Sequence, residues 1–193
     1  MSPTFAAIDY TAVRRAVVQA LALATGLDNG RIIRAQAQGP VQPRPPLPYV
    51  SFQARRIAIR NGFDAVVRSP QDGPTMWRYT GERGISFDFI TYGRDQDEAY
   101  ALASSIQCGL DTEPVSDILS QADLSTWTIQ DATDVTALLS TGFEGRGLVE
   151  AELWLGTDVL VDLGQIDSVS IVGHAYADGG QLAQLLSQTV NLI

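Results

Sequence analysis

Few residues of this chain could perform covalent chemistry. The 193 residues include one histidine, His174, one cysteine, Cys108, and no lysine. Walker-type phosphate loops, Schiff-base mechanisms and protein-kinase chemistry all need a lysine, so these classes are excluded. A Ser-His-Asp triad would have to use His174, but the chain has no Gly-x-Ser-x-Gly elbow. We therefore expect His174 to be structural, and Cys108 to pack as a small hydrophobe near a helix end.

Carboxylates are the remaining candidates for chemistry, and Asp95-x-Asp97-Glu98 is their densest cluster. These acids stand at a predicted helix start, where capping and the helix dipole explain them. Zinc and iron–sulfur sites need more Cys and His ligands than the chain has, and no EF-hand spacing occurs. We expect no metal and no cofactor. A small hydrolase using an Asp/Glu pair stays an alternative, because the fold and not the sequence places such pairs.

Charge is divided unevenly along the chain. Residues 1–94 hold 12 arginines and 6 acids, whereas residues 95–193 hold one arginine and 16 acids, for a net charge of −9. If the halves lie apart in space, identical copies would attract head to tail. The alternative is that the halves interleave in one sheet and neutralise each other. A pI near 4.4 argues against specific nucleic-acid binding.

Two helices are predicted from caps and from apolar residues at three- and four-residue spacing. The first follows Asp9 as N-cap and ends near Gly26, and the second follows Asp95 with Glu98 at capping-box spacing. A short helical turn is predicted from Pro114 through Leu119. The buried stripes of the two helices are Val13, Ala16, Val17, Ala20, Leu21 and Ala24, then Ala99, Leu102, Ala103, Ile106 and Leu110.

Alternating apolar residues predict the strands. One predicted strand starts at Tyr49 and has a bulge near Arg55 and Arg56, and a hairpin of residues 75–80 and 85–92 is predicted across Gly81–Gly84. The other predicted strands cover residues 31–36, 63–67, 126–130, 134–139, 147–155, 159–163 and 166–172. Leu182, Leu185, Leu186 and Val190 have helical spacing in an uncharged tail, Gln181–Ile193, which we expect to dock on the domain or on a neighbour. The order predicts one α+β domain over residues 1–193, a mostly antiparallel sheet flanked by two main helices. No stretch approaches the roughly 20 apolar residues of a membrane span, so no membrane partner is expected.

A proline-rich segment separates the first helix from the long strand. Five of the ten residues from Gly39 to Pro48 are proline. Proline fixes φ and removes the backbone donor, so the segment is predicted to be a stiff, extended spacer. Such a spacer holds one element at a fixed distance from the next or presents a fixed surface to a partner. The order of residues here is Arg31-Ile32-Ile33-Arg34-Ala35-Gln36, followed by Pro43-Arg44-Pro45-Pro46-Leu47-Pro48-Tyr49-Val50.

This order resembles the opening region of the neck and tail terminator proteins of tailed bacteriophages, most strongly over residues 10–110. The resemblance implies a structural virion protein of the neck, assembled in the host cytoplasm and not an enzyme. It implies a homo-oligomeric ring, usually a homohexamer, that caps the tail tube and joins it to the head-side connector. Implied partners are further copies of the chain, the tail tube protein, the connector or adaptor and a tail sheath, with DNA passing through unbound. Alternatives are a head-completion or other neck connector and, in another class, a peptide-binding or regulatory domain.

The resemblance also implies that the segment from Pro43 to Tyr49 stabilises a contact between subunits or with the tube. Arginines of one subunit are expected to meet acids of the next. The expected interface residues are Arg14, Arg15, Arg44, Pro45, Pro46, Pro48, Tyr49, Arg55, Arg56, Glu150, Glu152 and Asp158.

Overall fold

Three helices and a mostly antiparallel sheet confirm the predicted α+β class. The computed structural model describes residues 8–35, 43–60, 62, 64–73, 75–139, 142–162, 168–176 and 182–191. The helices are α1 (Tyr10–Thr25), α2 (Gln96–Gly109) and α3 (Glu113–Ser120), with a 3₁₀ turn over Asn29–Arg31. The strands are β1 (Ile32–Arg34), β2 (Tyr49–Arg60), β3 (Ala65–Arg68), β4 (Met76–Gly93), β5 (Leu124–Ile129), β6 (Thr133–Asp134), β7 (Ala137–Leu139), β8 (Gly142–Asp162), β9 (Ser168–Tyr176) and β10 (Leu182–Asn191).

The chain divides into two compact units. The larger unit comprises Phe5–Ala65 and Tyr79–Val159, and the smaller one comprises Met1–Thr4, Val66–Arg78 and Leu160–Ile193. In the smaller unit β9 and β10 form an antiparallel pair, and Arg78 binds Asp72 at 3.1 Å. The expectation of one domain stays a prediction.

The first helix forms where its caps predict it. Asp9 Oδ1 accepts hydrogen bonds from the backbone N–H groups of Thr11 (2.9 Å) and Ala12 (3.1 Å), which hold the pKa of Asp9 below its usual range. Gly26 ends the helix in the left-handed region, at φ 69°. The predicted stripe is buried at Val13, Val17 and Leu21.

The second helix has a modified capping box. Asp95 Oδ1 accepts from the N–H of Glu98 at 2.8 Å, as predicted. The Glu98 carboxylate accepts instead from the N–H of Arg94 at 2.7 Å, and from the Arg94 guanidinium at 2.5 Å. The guanidinium and backbone bonds from Arg94 lower the pKa of Glu98 to about 2. These acids are therefore occupied in starting a helix.

The sheet of the larger unit runs in the order β1-β2-β4-β8-β5. β1 pairs with β2 in parallel, whereas β2 with β4 and β5 with β8 pair antiparallel. All three helices contribute to a single hydrophobic core with one face of this sheet, including the fully buried Phe89, Ile106 and Leu153. The basic half of the sequence thus supplies the β1 side of the sheet and the acidic half the β5 side. Within this sheet the two halves do not interleave.

One predicted hairpin is wrong, and one pattern of helical spacing belongs to a strand. The hairpin across Gly81–Gly84 is instead one continuous strand, β4, which pairs with β2 at Arg83 and Gly84 as well as from Ser86 to Tyr92. A Cβ on Gly84 would lie 3.0 Å from Glu152 Oε1 and 3.2 Å from the ring of Trp154, so this glycine lets these side chains approach the strand and does not turn the chain. The helical spacing in the tail does not correspond to a helix, because Leu182–Asn191 forms strand β10 and pairs with β9.

Predictions about the β2 bulge, Cys108 and the proline-rich segment have different outcomes. The bulge near Arg55 is confirmed by a register shift between Ala54 and Arg56. Cys108 is exposed, so the expected packing in the core is wrong. The peptide bond between Leu47 and Pro48 is cis. Residues 36–42 of the proline-rich segment lie outside the described residues.

Candidate assembly surface

Side chains of β8 alternate between the two faces of the sheet. Val149, Ala151 and Leu153 are buried in the core beneath the helices, and Glu150 and Glu152 lie on the opposite face. We call this opposite face the polar face. It includes Tyr49, Arg55, Asp88, Tyr92, Arg146, Glu150, Glu152 and Trp154.

An ion-pair cluster lies at the middle of the polar face. The guanidinium of Arg55 contacts the carboxylate of Asp88 through Nε, and its Nη1 lies 3.1 Å from Glu150 Oε1. The bulge in β2 re-aims Arg55 across β4, since a bulged residue leaves the regular alternation. Asp88 is 7% exposed, so Arg55 supplies the charge that a covered carboxylate requires.

A cleft of about 350 Å³ lies over this cluster. Its lining includes Arg55, Arg56, Asp88, Glu150 and Glu152. Within the part of the chain that the structure describes, Arg56 and Glu152 form no ion pair. The cleft therefore brings together four of the predicted interface residues within one chain: Arg55, Arg56, Glu150 and Glu152. Arg55 is already paired, whereas Arg56 could pair with a partner chain.

A second cluster anchors the end of the proline-rich segment. The rings of Tyr49 and Tyr92 stack with centroids 4.4 Å apart. Burial, with Tyr92 beside it, raises the pKa of Tyr49 to about 12. Arg44 binds Glu144 at 3.2 Å, and Arg146 contacts the same carboxylate while lying 5.3 Å from the centre of the Tyr92 ring. The segment entering β2 is thus held at a fixed position on the polar face.

The sequence profile of one family, described as phage neck terminator protein, matches residues 10–179. The chain belongs to this family. The resemblance noted in the proline-rich region is therefore confirmed, and the protein is a structural component of the phage neck and of the virion. No curated protein matches the chain significantly.

The structure of this neck terminator protein does not bring all the predicted interface residues together. Arg14 is half-buried and Arg15 is exposed on α1, in the helix layer on the other side of the sheet from Arg55. Asp158 lines a separate cleft of about 900 Å³ with Glu82 and Asp123. It is eight residues from Glu150 along β8, which corresponds to roughly 26 Å of strand. The predicted set is therefore not one patch, and its role as an interface stays a prediction.

The proline positions of the neck terminator protein differ in exposure. Pro45 and Pro48 are half-buried, whereas Pro46 is exposed and Leu47 is 37% exposed. Pro46 and Leu47 are thus available to a neighbour, while the flanking prolines pack on their own chain.

Sequence reasoning missed a tryptophan pair on β5 and β8. Trp127 is 65% exposed and lies at a register shift between Thr126 and Thr128. Its ring is tilted against that of Trp154, with centroids 5.6 Å apart. The signal available in the sequence was Trp127 among Ser125, Thr126 and Thr128, an aromatic residue in an otherwise polar stretch.

The described part of this neck terminator protein shows no group of three or more His, Cys, Asp or Glu residues that could hold a metal ion. Asp95 and Glu98 cap α2 and bind Arg94, as described above. The side chain of His174 lies outside the described residues. Among the described helices, none has the length and apolar character needed to cross a membrane.

Proposed function

We propose that the chain forms a homo-oligomeric ring that caps the tail tube and joins it to the head-side connector. Family membership supports the neck location. The observation that favours assembly is the separation of charge across the sheet of the larger unit. Residues 8–60 hold eight arginines and two acids, whereas residues 95–158 hold 13 acids and one arginine.

The order of the strands keeps these charges apart. β1 and β2 come from the basic stretch, β8 and β5 from the acidic stretch, and β4 lies between them. The ion pair of Arg55 with Glu150 reaches across β4, and it neutralises only the residues at this central position. A second pair, Arg44 with Glu144, also joins the two stretches, and β5 itself carries no charged residue. Arg34 and Arg56 on β1 and β2, and Glu152 on β8, form no ion pair among the described residues, so the β1–β2 side of one copy attracts the β8 side of another.

A contact between two different surfaces of identical chains is heterologous. Such contacts build a closed ring when the rotation from copy to copy closes, and an open filament when it does not. A net charge of −9 per copy makes the assembly repel phosphate, which suits passage of DNA without binding. The tail sheath, the connector and the six-fold symmetry come from the family resemblance.

The test is light-scattering mass and negative-stain microscopy of the purified chain at low and high salt, with and without polymerised tail tubes. We expect closed rings, bound at tube ends, that loosen as salt screens the charges between copies. Duplex DNA added to the rings is expected to remain unbound.

A monomer under every condition, including with tubes present, would overturn the ring. Rings that bind the isolated connector but leave tube ends bare would assign the chain to head completion instead. If the rings are equally stable at high salt, attraction between opposite charges does not hold the copies together.

A further inference from the structure

We infer that Trp127 and Glu152 form an acceptor for the exposed bulge of β2, Arg56 and Ile57, from a second copy of this chain. This inference rests on the proposed ring and names the surfaces that would close it. It also replaces the broader expectation that Arg55 serves the contact between subunits, because Arg55 already binds Asp88 and Glu150 of its own chain.

The acceptor is built around an aromatic pair. Trp154 is 8% exposed and lies over Gly84, where a side chain on β4 would meet its ring at 3.2 Å. This buried ring supports one side of Trp127, which is itself 65% exposed. A rigidly supported, exposed tryptophan is the type of residue that dominates binding energy at protein interfaces.

The charge beside Trp127 selects the kind of partner. Thr128, the next residue, pairs in register with Glu152 on β8. The sequence from Asp95 to Gly145 contains ten acids and no arginine or lysine. An indole face beside a carboxylate favours a guanidinium, which can stack on the ring and bind the carboxylate at the same time. All 13 basic residues of the chain are arginines.

The donor lies on β2, and its Arg56 lines the same cleft as Glu152 of the acceptor. Among the described residues, no strand pairs with the outer edge of β2 after Phe52. Ile57 in this stretch is 59% exposed and follows Arg56 at a second register shift. An exposed isoleucine beside an arginine complements an exposed tryptophan beside a glutamate.

Within one copy this contact is not made. Arg56 and Glu152 line the same cleft but form no ion pair among the described residues, and β4 and β8 separate β2 from β5. Both surfaces are therefore open to a second copy, and joining the donor of one copy to the acceptor of the next leaves a free acceptor and a free donor at the two ends of any open chain. This is the heterologous geometry that the proposed ring requires.

The experiment uses two variants of the full chain, each lacking one surface. Trp127→Ala removes the acceptor, and Arg56→Glu with Ile57→Ser removes the donor. Light-scattering mass should show that each variant alone fails to form rings, with association weakened by roughly 30-fold or more. Mixed in equal amounts, the two variants should form a 1:1 dimer and nothing larger, because one intact donor and one intact acceptor remain.

Leu23→Ala is the matched control, since Leu23 is 51% exposed on α1 and belongs to neither surface. It should form rings like the unchanged chain. If Trp127→Ala does not fold, Glu152→Arg replaces it as the acceptor variant. Combining Glu152→Arg with Arg56→Glu in one chain should then restore assembly by reversing the pair.

Rings formed by Trp127→Ala, or a mixture that stays monomeric, would overturn the inference. If the unchanged chain forms rings while Trp127→Ala also does, the proposed function stands and only the named surfaces are wrong. If the unchanged chain never assembles, with tubes or without, the proposed function fails and the inference fails with it.

Discussion

The two faces of the central sheet use the same strands for different purposes. On β8, Leu153 is fully buried against the helices, and its neighbour Glu152 lies on the polar face without an ion pair among the described residues. Alternation with period two lets one strand stabilise the fold on one side and present charge on the other. Stability and assembly should therefore be separable by substituting adjacent residues.

The largest expected effect comes from the core face. Leu153→Ala should lower the free energy of unfolding by about 2–5 kcal/mol, because it removes buried methyl groups and leaves a cavity. Glu152→Gln, one residue earlier, should change the free energy of unfolding by less than about 0.5 kcal/mol while weakening assembly. Urea unfolding measures the first quantity and light-scattering mass the second. A large loss of stability in Glu152→Gln would contradict the assignment of stability to the core face and assembly to the polar face.

An intermediate effect should distinguish two adjacent arginines on the polar face. Arg55→Met leaves the covered carboxylate of Asp88 without its cation, and should cost about 1–2 kcal/mol of stability once the partial exposure of Arg55 is allowed for. Arg56→Met should leave stability unchanged and weaken assembly. Equal effects of both substitutions in urea unfolding would contradict the assignment of one arginine to the fold and the other to the interface.

The smallest effect concerns the acidic start of α2, away from both surfaces. The folded pKa of Glu98 is lowered to about 2 from an ordinary value of 4.5. A carboxyl with a depressed folded pKa contributes stability above its unfolded pKa, and loses it as the pH falls through the folded value. Stability should therefore decrease between about pH 4.5 and pH 2, and less so in Glu98→Gln. Unfolding curves across this range measure the effect.

Asp97→Asn is the control, because it removes one charge from the same first turn without touching the contact between Arg94 and Glu98. Identical acid profiles for Glu98→Gln and the unchanged chain would show that this contact contributes nothing measurable to the fold.

Local signals in the sequence were sufficient for the helices. Asp9, Gly26 and Asp95 act within one turn of the chain, so their side chains and backbone angles mark helix ends without reference to distant residues. Strand limits were less predictable. Gly81 and Gly84 looked like a turn, but their position in β4 depends on β2 and on Trp154, which are far away in sequence.

The candidate surface was predictable in composition and not in arrangement. The division of charge was visible in the sequence, and the sheet order shows that the two halves supply opposite sides. Which arginine is paired was not visible, since Arg55 meets Asp88 and Glu150 only when three strands align. The exposure of Trp127 likewise depends on a register shift that no local pattern specifies.

The sequence by itself determined the helix ends, the exclusion of lysine-dependent chemistry and the unequal charges of the two halves. These properties follow from residue type and from interactions within a few positions. The tertiary structure decided the continuity of β4, the strand conformation of β10, the exposure of Cys108 and the partners of Arg55. A strand satisfies its backbone hydrogen bonds with distant segments, so its extent and its neighbours are fixed only when the whole sheet forms.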